Sequence, residues 1–319
     1  MASSLPHLDL LRQYFGERMQ MAVSLKRFTA ARLGGTADVL VSAGSSAELS
    51  YTVERLWMLG IPFVILGRGS NVLVADAGVR QVVVLNRAQK VSFDAQSVPP
   101  VASVESGANL GSVARRAGAL GLSGLEWAAG IPGTVGGAVY GNAGAHGANI
   151  SSNLLMAEIL HLNLGGGAEK HEILREKWTV DRFEFAYRTS LLKRQPGKHV
   201  ILAAQLQLDV STPELVKAKM DEFNRSRLSS QPSGASLGSI FKNPEGDYAG
   251  RLIEAAGLKG RQIGKVEISQ KHANFFISRD SATASDYAAL IRLAQEQVQE
   301  KFGVSLELEI ELLGDWPEN

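Results

Sequence analysis

The 319-residue chain contains no cysteine, which removes disulfides, iron–sulfur clusters, thiolate zinc sites and cysteine nucleophiles together. Any redox chemistry would have to come from a bound organic cofactor. No apolar run approaches the ~18 residues of a membrane-spanning helix; Ile61–Leu66 is among the longest and is strand-sized. The first residues carry Pro6, Asp9, Arg12, Glu17 and Arg18 without an apolar stretch, so a cytoplasmic protein is the expectation. Charge of one sign is also missing: 33 Lys and Arg against 32 Asp and Glu leave a net charge of +1, and nothing global favours nucleic acid or a membrane as partner. The six histidines, at 7, 146, 161, 171, 199 and 272, form no HxxxH or HExxH spacing, so no metal is expected. There is no GxxxxGK[ST] loop, no GxGxxG opening a helix after the first strand and no GxSxG elbow, which weighs against P-loop, Rossmann and α/β-hydrolase chemistry.

Glycine is abundant: 33 residues, about a tenth of the chain where roughly 7% is ordinary. The glycines cluster between periodic segments, as tight turns or points of close backbone approach require. Ser45–Gly60 has capping-box spacing at Ser45 and Glu48 and a stop at Gly60 and Pro62, so it predicts a helix. Strands are expected at 62–66, 72–74 and 81–85, then a helix over Asn109–Leu120. Further strands are expected at 154–164, 183–187 and 200–208. A helix opens at Thr212-Pro213-Glu214 and runs toward Leu228. The last hundred residues mix helix (250–256, 286–302) with strand (267–269, 274–277, 306–313). The order implies an α+β protein with segments 1–86, 87–211 and 212–319.

Two glycine-rich segments are candidates for a cradle: Gly67-Arg68-Gly69-Ser70-Asn71, and Gly130 to Gly147, which holds seven glycines in eighteen residues. Successive N–H groups in such turns can form an anion nest, and two nests suit a pyrophosphate. Tight β-turns alone account for either segment equally well; the length of the second favours a ligand. In Phe183–Ser190 the alternation sets Arg188 opposite Tyr187. A strand-end arginine is ordinarily solvated, but its fork can also hold a carboxylate or a developing oxyanion. Ser239 stands in a turn entering a strand, with no histidine nearby for a triad. Glu307, Glu309 and Glu311 alternate with Leu306, Leu308, Ile310 and Leu312. Period two puts all three carboxylates on one face and does not choose among them. Arg225 and Arg227 lie near a helix C-terminus, where cations are favoured in any case.

Taken together, eight segments resemble the UDP-N-acetylenolpyruvoylglucosamine reductase family: LGGTAD (33–38), ILGRGSNVLV (65–74), GIPGTVGGAVYGNAGAHG (130–147), FAYRTS (185–190), GSIFKNP (238–244), AGRLIEAAGLKG (249–260), SQKHANF (269–275) and FGVSLELEIELLG (302–314). The resemblance implies a vanillyl-alcohol-oxidase-type FAD-binding fold of two subdomains, 1–86 and 87–211, followed by a substrate-binding domain, 212–319. No room is left for an extra tyrosine-bearing loop, as in the shorter family subclass. His146 stands where that family is expected to carry an aromatic residue, and Gly264-Lys265-Val266 replaces a more alanine-rich turn.

The implied reaction is reduction of UDP-N-acetylglucosamine enolpyruvate to UDP-N-acetylmuramate by FAD, with NADPH as co-substrate, in a cytoplasmic monomer. By motif match, Arg188 and Glu309 would hold the charge that builds on the substrate carboxylate, and Ser239, polarised by Lys242, would deliver a proton. Glu309 is chosen because it stands five residues before Gly314. FAD would lie against Gly67, Arg68, Gly69, Ser70, Asn71, Gly130, Ile131, Pro132, Gly133, Thr134, Gly137, Asn142, Gly144 and Ala145. The substrate would meet Tyr187, Arg225, Arg227, Lys242 and Asn243. The alternatives are a flavin oxidase or dehydrogenase of the same fold with another substrate, and a colourless nucleotide-sugar-binding protein.

Overall fold

A computed structural model describes residues 7–164 and 171–316. Its eight α-helices among the described residues are α1 (Leu8–Phe15), α2 (Ser46–Met58), α3 (Leu110–Ala119), α4 (Val135–Gly141), α5 (Leu191–Arg194), α6 (Pro213–Ser230), α7 (Ala249–Ala255) and α8 (Ala284–Phe302). No helix among the described residues is long and apolar enough to cross a membrane. The chain forms two compact units. The first joins Met1–Gln20, Leu40–Gly67 and Val82–Ser226, and the second joins Met21–Val39, Arg68–Gln81 and Arg227–Asn319.

In the first unit, α2 starts where Ser45 Oγ accepts the Glu48 N–H at 3.2 Å, while the Glu48 carboxylate takes the Gly44 N–H at 2.7 Å. Both bonds satisfy donors that a helix start leaves open. The strand that follows, Phe63–Leu66, pairs in parallel with Val82–Leu85 of the strand Val79–Asn86. Five antiparallel strands form the larger sheet, in the order His171–Thr179, Leu154–Leu164, His199–Gln207, Val101–Glu105 and Val91–Asp94. Its apolar face packs with α3, α4 and the start of α6 around Val104, Val113, Val139, Leu206 and Val216.

The second unit places Val72–Val74 parallel to Glu311–Leu313 and builds a three-stranded antiparallel sheet from Gln262–Ile263, Val266–Ile268 and Phe276–Ser278. Tyr287 of α8 is fully buried against it and donates from its hydroxyl to the Phe276 carbonyl at 3.0 Å. Burial pushes this phenol well above its ordinary pKa. Thr283 and Asp286 form a capping box at the head of α8, and Gly303, at φ 69°, ends it.

Two expected strands are absent as drawn. Residues 183–187 leave a short 3-10 turn (Val180–Phe183) through Glu184 at φ 45°, and only a single bridge joins Ala186 to Thr189. Phe183 and Phe185 stack face to face 5.1 Å apart, so their alternation comes from a turn and not from a pleat. At the C-terminus the regular strand is confined to Glu311–Leu313. Inward-facing alternation holds from Leu306 to Ile310 and then breaks, since Leu312 is 45% exposed.

Asp76, from the early segment of the second unit, caps α8. Its carboxylate accepts the N–H groups of Ala284 and Ser285 at 2.9 and 2.8 Å and the Ser285 hydroxyl at 2.7 Å. Partial burial alone would raise its pKa, but those three bonds and the Lys26 charge outweigh it and leave the carboxyl below its ordinary value. A depressed folded-state pKa stabilises the fold above the unfolded-state value of about 4, and that stabilisation is lost as pH falls through the folded value. Asp76→Asn is expected to cost about 1 kcal/mol at neutral pH and to flatten the acid limb of stability below about pH 4, as urea titrations at stepped pH would read.

Candidate active site

In the first unit the two glycine-rich segments converge. A Cβ on Gly67 would lie 2.8 Å from Thr134 Oγ1 and 2.9 Å from Thr134 Cγ2, so only a hydrogen fits where the turns meet. Residues 130–134 are stitched to the head of α3: the Gly133 carbonyl accepts the Leu110 N–H at 3.2 Å and the Asn109 side-chain amide at 3.3 Å. Thr134 is buried and caps α4 by accepting the Gly137 N–H at 3.2 Å, while the Val135 and Gly136 N–H groups go to the carbonyls of Ala108 and Ser106. Those three amides are therefore engaged within the protein. The Ile131 N–H also goes to a protein carbonyl, that of Ala128 at 3.0 Å, Pro132 has no N–H, and Gly137 offers an exposed surface without a Cβ. The contact between the two segments is Gly67 against the Thr134 side chain.

The later part of the same segment meets the FAYRTS turn. Asn142, buried at the left-handed end of α4 with φ 46°, donates from Nδ2 to the Ala186 carbonyl at 3.0 Å. Arg188 donates from Nη2 to the Gly144 carbonyl at 3.0 Å. Its backbone is left-handed at φ 57°, and its guanidinium carbon lies 5.4 Å from the centre of the exposed Tyr187 ring. The expected opposite orientation of these two side chains is thus corrected: the turn folds them over each other. Ser190, which the sequence reading passed over, is fully buried and pins the turn by donating to the Tyr140 carbonyl at 2.7 Å. His146, in the hairpin tip beside Ala145, stacks on Phe223 of α6 with centroids 4.2 Å apart. Arg225 lies exposed on the same helix.

The second unit gathers the other motifs. Gly69, at φ 56°, is buried where a Cβ would strike the Phe28 carbonyl, and its own carbonyl accepts the Ala30 N–H at 2.9 Å. Arg68 is exposed and Ser70 half-buried beside it. Asn71 donates from Nδ2 to the Glu309 carbonyl at 3.0 Å and accepts the Glu311 N–H at 2.8 Å. Glu309 in turn donates its N–H to the Ile240 carbonyl at 2.8 Å, next to Ser239, whose backbone bridges Phe275. Asn71, the GSIFKNP segment and Glu309 are therefore joined through the Asn71 side chain and two backbone bonds.

Asn274 is the positioning residue that the sequence reading missed. It is buried, accepts the Phe241 N–H at 2.9 Å and donates to the Phe241 carbonyl at 2.8 Å, and its own carbonyl takes the Ile240 N–H at 2.9 Å. Its place within SQKHANF was the available signal. Lys242 has its ammonium 3.1 Å from Glu307 Oε2, so its charge is directed to that carboxylate and the expected polarisation of Ser239 by Lys242 finds no direct support. Asn243 starts α7 by accepting the Ala249 N–H at 3.1 Å. Arg227 is half-buried, and desolvation lowers its pKa from the ordinary arginine value. Asn274→Ala would leave the Phe241 N–H and carbonyl unpaired in the interior at a cost of about 1–3 kcal/mol, expected as a lowered urea midpoint with an unchanged denaturant slope.

Two family models match along the chain. A family model described as an FAD binding domain matches residues 37–164, and one described as the C-terminal domain of UDP-N-acetylenolpyruvoylglucosamine reductase matches residues 231–313. The reductase of that name from Chloroflexus aggregans is 40% identical over 293 residues, covering 91% of this chain and 95% of its own. That from Rubrobacter xylanophilus is 40% identical over 291 residues, covering 91% and 94%. The crystal structure of UDP-N-acetylenolpyruvylglucosamine reductase from Thermus caldophilus superposes with a TM-score of 0.76 at 34% identity, over 92% of this chain and 99% of that one. The mixed α+β fold with its FAD-binding domain, and identity at this level along nearly the whole length, make this chain a member of the UDP-N-acetylenolpyruvoylglucosamine reductase family.

Proposed function

We propose that this protein reduces UDP-N-acetylglucosamine enolpyruvate to UDP-N-acetylmuramate with NADPH, through bound FAD, in the cytoplasmic synthesis of peptidoglycan precursor. The observation that carries the reading is the hydrogen-bonded junction at Glu309, whose carbonyl accepts the Asn71 side-chain amide on one side and whose N–H goes to Ile240 beside Ser239 on the other. The working unit is taken as one chain, since it carries every residue the reading needs.

FAD, when bound, supplies hydride transfer from NADPH to the vinyl carbon of the substrate. The protein's part is to bind, orient and balance charge. Hydride addition beside a carboxylate builds negative charge there, and Arg188, held by Gly144, is assigned to it with Glu309 as second partner. Ser239 is assigned the proton for the adjacent carbon. With Lys242 directed to Glu307, the polarisation of that hydroxyl falls to the surrounding backbone and to the substrate. Tyr187 and Asn243 are assigned to substrate anchoring, and Arg225, Arg227 and Lys242 to the nucleotide diphosphate. Gly67–Asn71, Gly130–Thr134, Gly137, Asn142, Gly144 and Ala145 are assigned to FAD.

The test separates the half-reactions. The FAD-loaded protein, bleached anaerobically with NADPH and mixed with UDP-N-acetylglucosamine enolpyruvate, is expected to recolour rapidly without oxygen. Bleaching that persists until air enters would overturn the substrate assignment. Ser239→Ala is expected to bleach normally and to recolour slower by about two to four orders of magnitude, the range of a lost general acid; near-normal recolouring would remove Ser239 from the role.

A further inference from the structure

We propose that His146 and Phe223 form a clamp that positions Arg188. The hairpin pairs Gly144 with Asn149 and Ala145 with Ala148 and turns through His146 and Gly147. Both turn residues are left-handed, at φ 53° and 80°, the geometry of a type I′ turn, for which Asn-Gly is the ordinary choice. A histidine meets this backbone requirement less well than glycine or asparagine, so its ring has to be explained separately. The ring stacks on Phe223 with centroids 4.2 Å apart and planes 11° from parallel, and Lys219 Nζ lies 5.9 Å from the same Phe223 ring.

At the far end of the hairpin the Gly144 carbonyl accepts Arg188 Nη2 at 3.0 Å. Gly144 admits no side chain, since a Cβ there would meet the Ala148 carbonyl at 2.6 Å and Asn149 Cβ at 2.8 Å, so the two strands lie close at the carbonyl that holds Arg188. Two two-residue strands are marginal by themselves; the stack ties their tip to α6. Support therefore passes from Phe223 through the His146 ring and the tight turn to the carbonyl that orients the guanidinium. His146 and Phe223 are positioning residues, acting through Gly144 on a side chain that meets the substrate. The inference rests on the role assigned to Arg188 above.

The experiment compares the wild-type holoenzyme with His146→Asn, which suits the turn but removes the ring, His146→Tyr, which returns a ring, Phe223→Leu, and the pair His146→Asn with Phe223→Leu. Four quantities are read: the FAD dissociation constant, anaerobic bleaching by NADPH, recolouring by UDP-N-acetylglucosamine enolpyruvate, and calorimetric binding of that substrate to the oxidised enzyme. His146→Asn and Phe223→Leu are expected to weaken substrate binding and slow recolouring by about threefold to tenfold, as loss of one stacked pair implies. FAD affinity and bleaching should fall less than substrate binding and recolouring, since of the residues assigned to FAD only Gly144 and Ala145 lie in this hairpin. His146→Tyr should restore both lost quantities, and the double variant should be no worse than either single one. Equal losses in all four quantities, no loss at all, or failure of tyrosine to rescue would each overturn the clamp. A wild type that does not recolour overturns the assigned reaction and the clamp's part in it. A wild type that recolours with every variant equal to it overturns the clamp alone.

Discussion

The parallel pairing of Val72–Val74 with Glu311–Leu313 is the constraint on which the second unit depends. It fixes Asn71 against Glu309 across 238 residues of chain. Closing so long a loop costs only slightly more than closing one half its length, because the entropy grows with the logarithm of loop size. Once closed, the pair brings the end of a glycine turn, the Ser239 segment and Glu309 onto one hydrogen-bonded framework. Asp76 reinforces that framework by capping α8 from the same early segment. Its role is electrostatic as well as geometric, since the helix N-terminus and the Lys26 charge both favour the ionised carboxylate.

In the first unit the corresponding constraint is steric. Gly67 and Thr134 approach so closely that no Cβ fits at residue 67. A run of left-handed residues, Asn142, His146, Gly147 and Arg188, then bends the chain so that Arg188 reaches the Gly144 carbonyl. Backbone conformations that are costly for ordinary residues concentrate where the chain must hold a functional side chain, as expected when surrounding structure over-determines them.

Much of this was legible in the residues. Ser45 with Glu48, Asn109 before its helix, and Pro213 in the first turn of α6 each carry a local physical signal, and α2, α3 and α6 begin there. The mixed α+β order was legible for the same reason, and the family emerged from the motifs. What failed were short alternating runs. Phe183, Phe185 and Tyr187 read as a pleat, yet the left-handed Glu184 turns them, because a period of two over five residues does not distinguish a strand from successive turns. Leu312 continued the alternation on paper but is exposed, since the regular strand beyond Ile310 is only three residues long. The interleaved segments of the two units, the Asn274 clamp and the partner of Lys242 depend on long-range contacts that no local pattern encodes.

The interleaving also sets an order of assembly during synthesis. The first unit has all of its segments once Ser226 has left the ribosome. The second unit begins at Met21 but has no partner for Val72–Val74 until Glu311–Leu313 emerge. The strand Val72–Val74 therefore waits unpaired through most of translation, although Gly69 and Ala75 on either side of it can already meet Ala30 and Gly35. Its brevity, three residues closed by Ala75 and Asp76, keeps that waiting edge short and places a charge next to it, the features that limit pairing with other nascent chains.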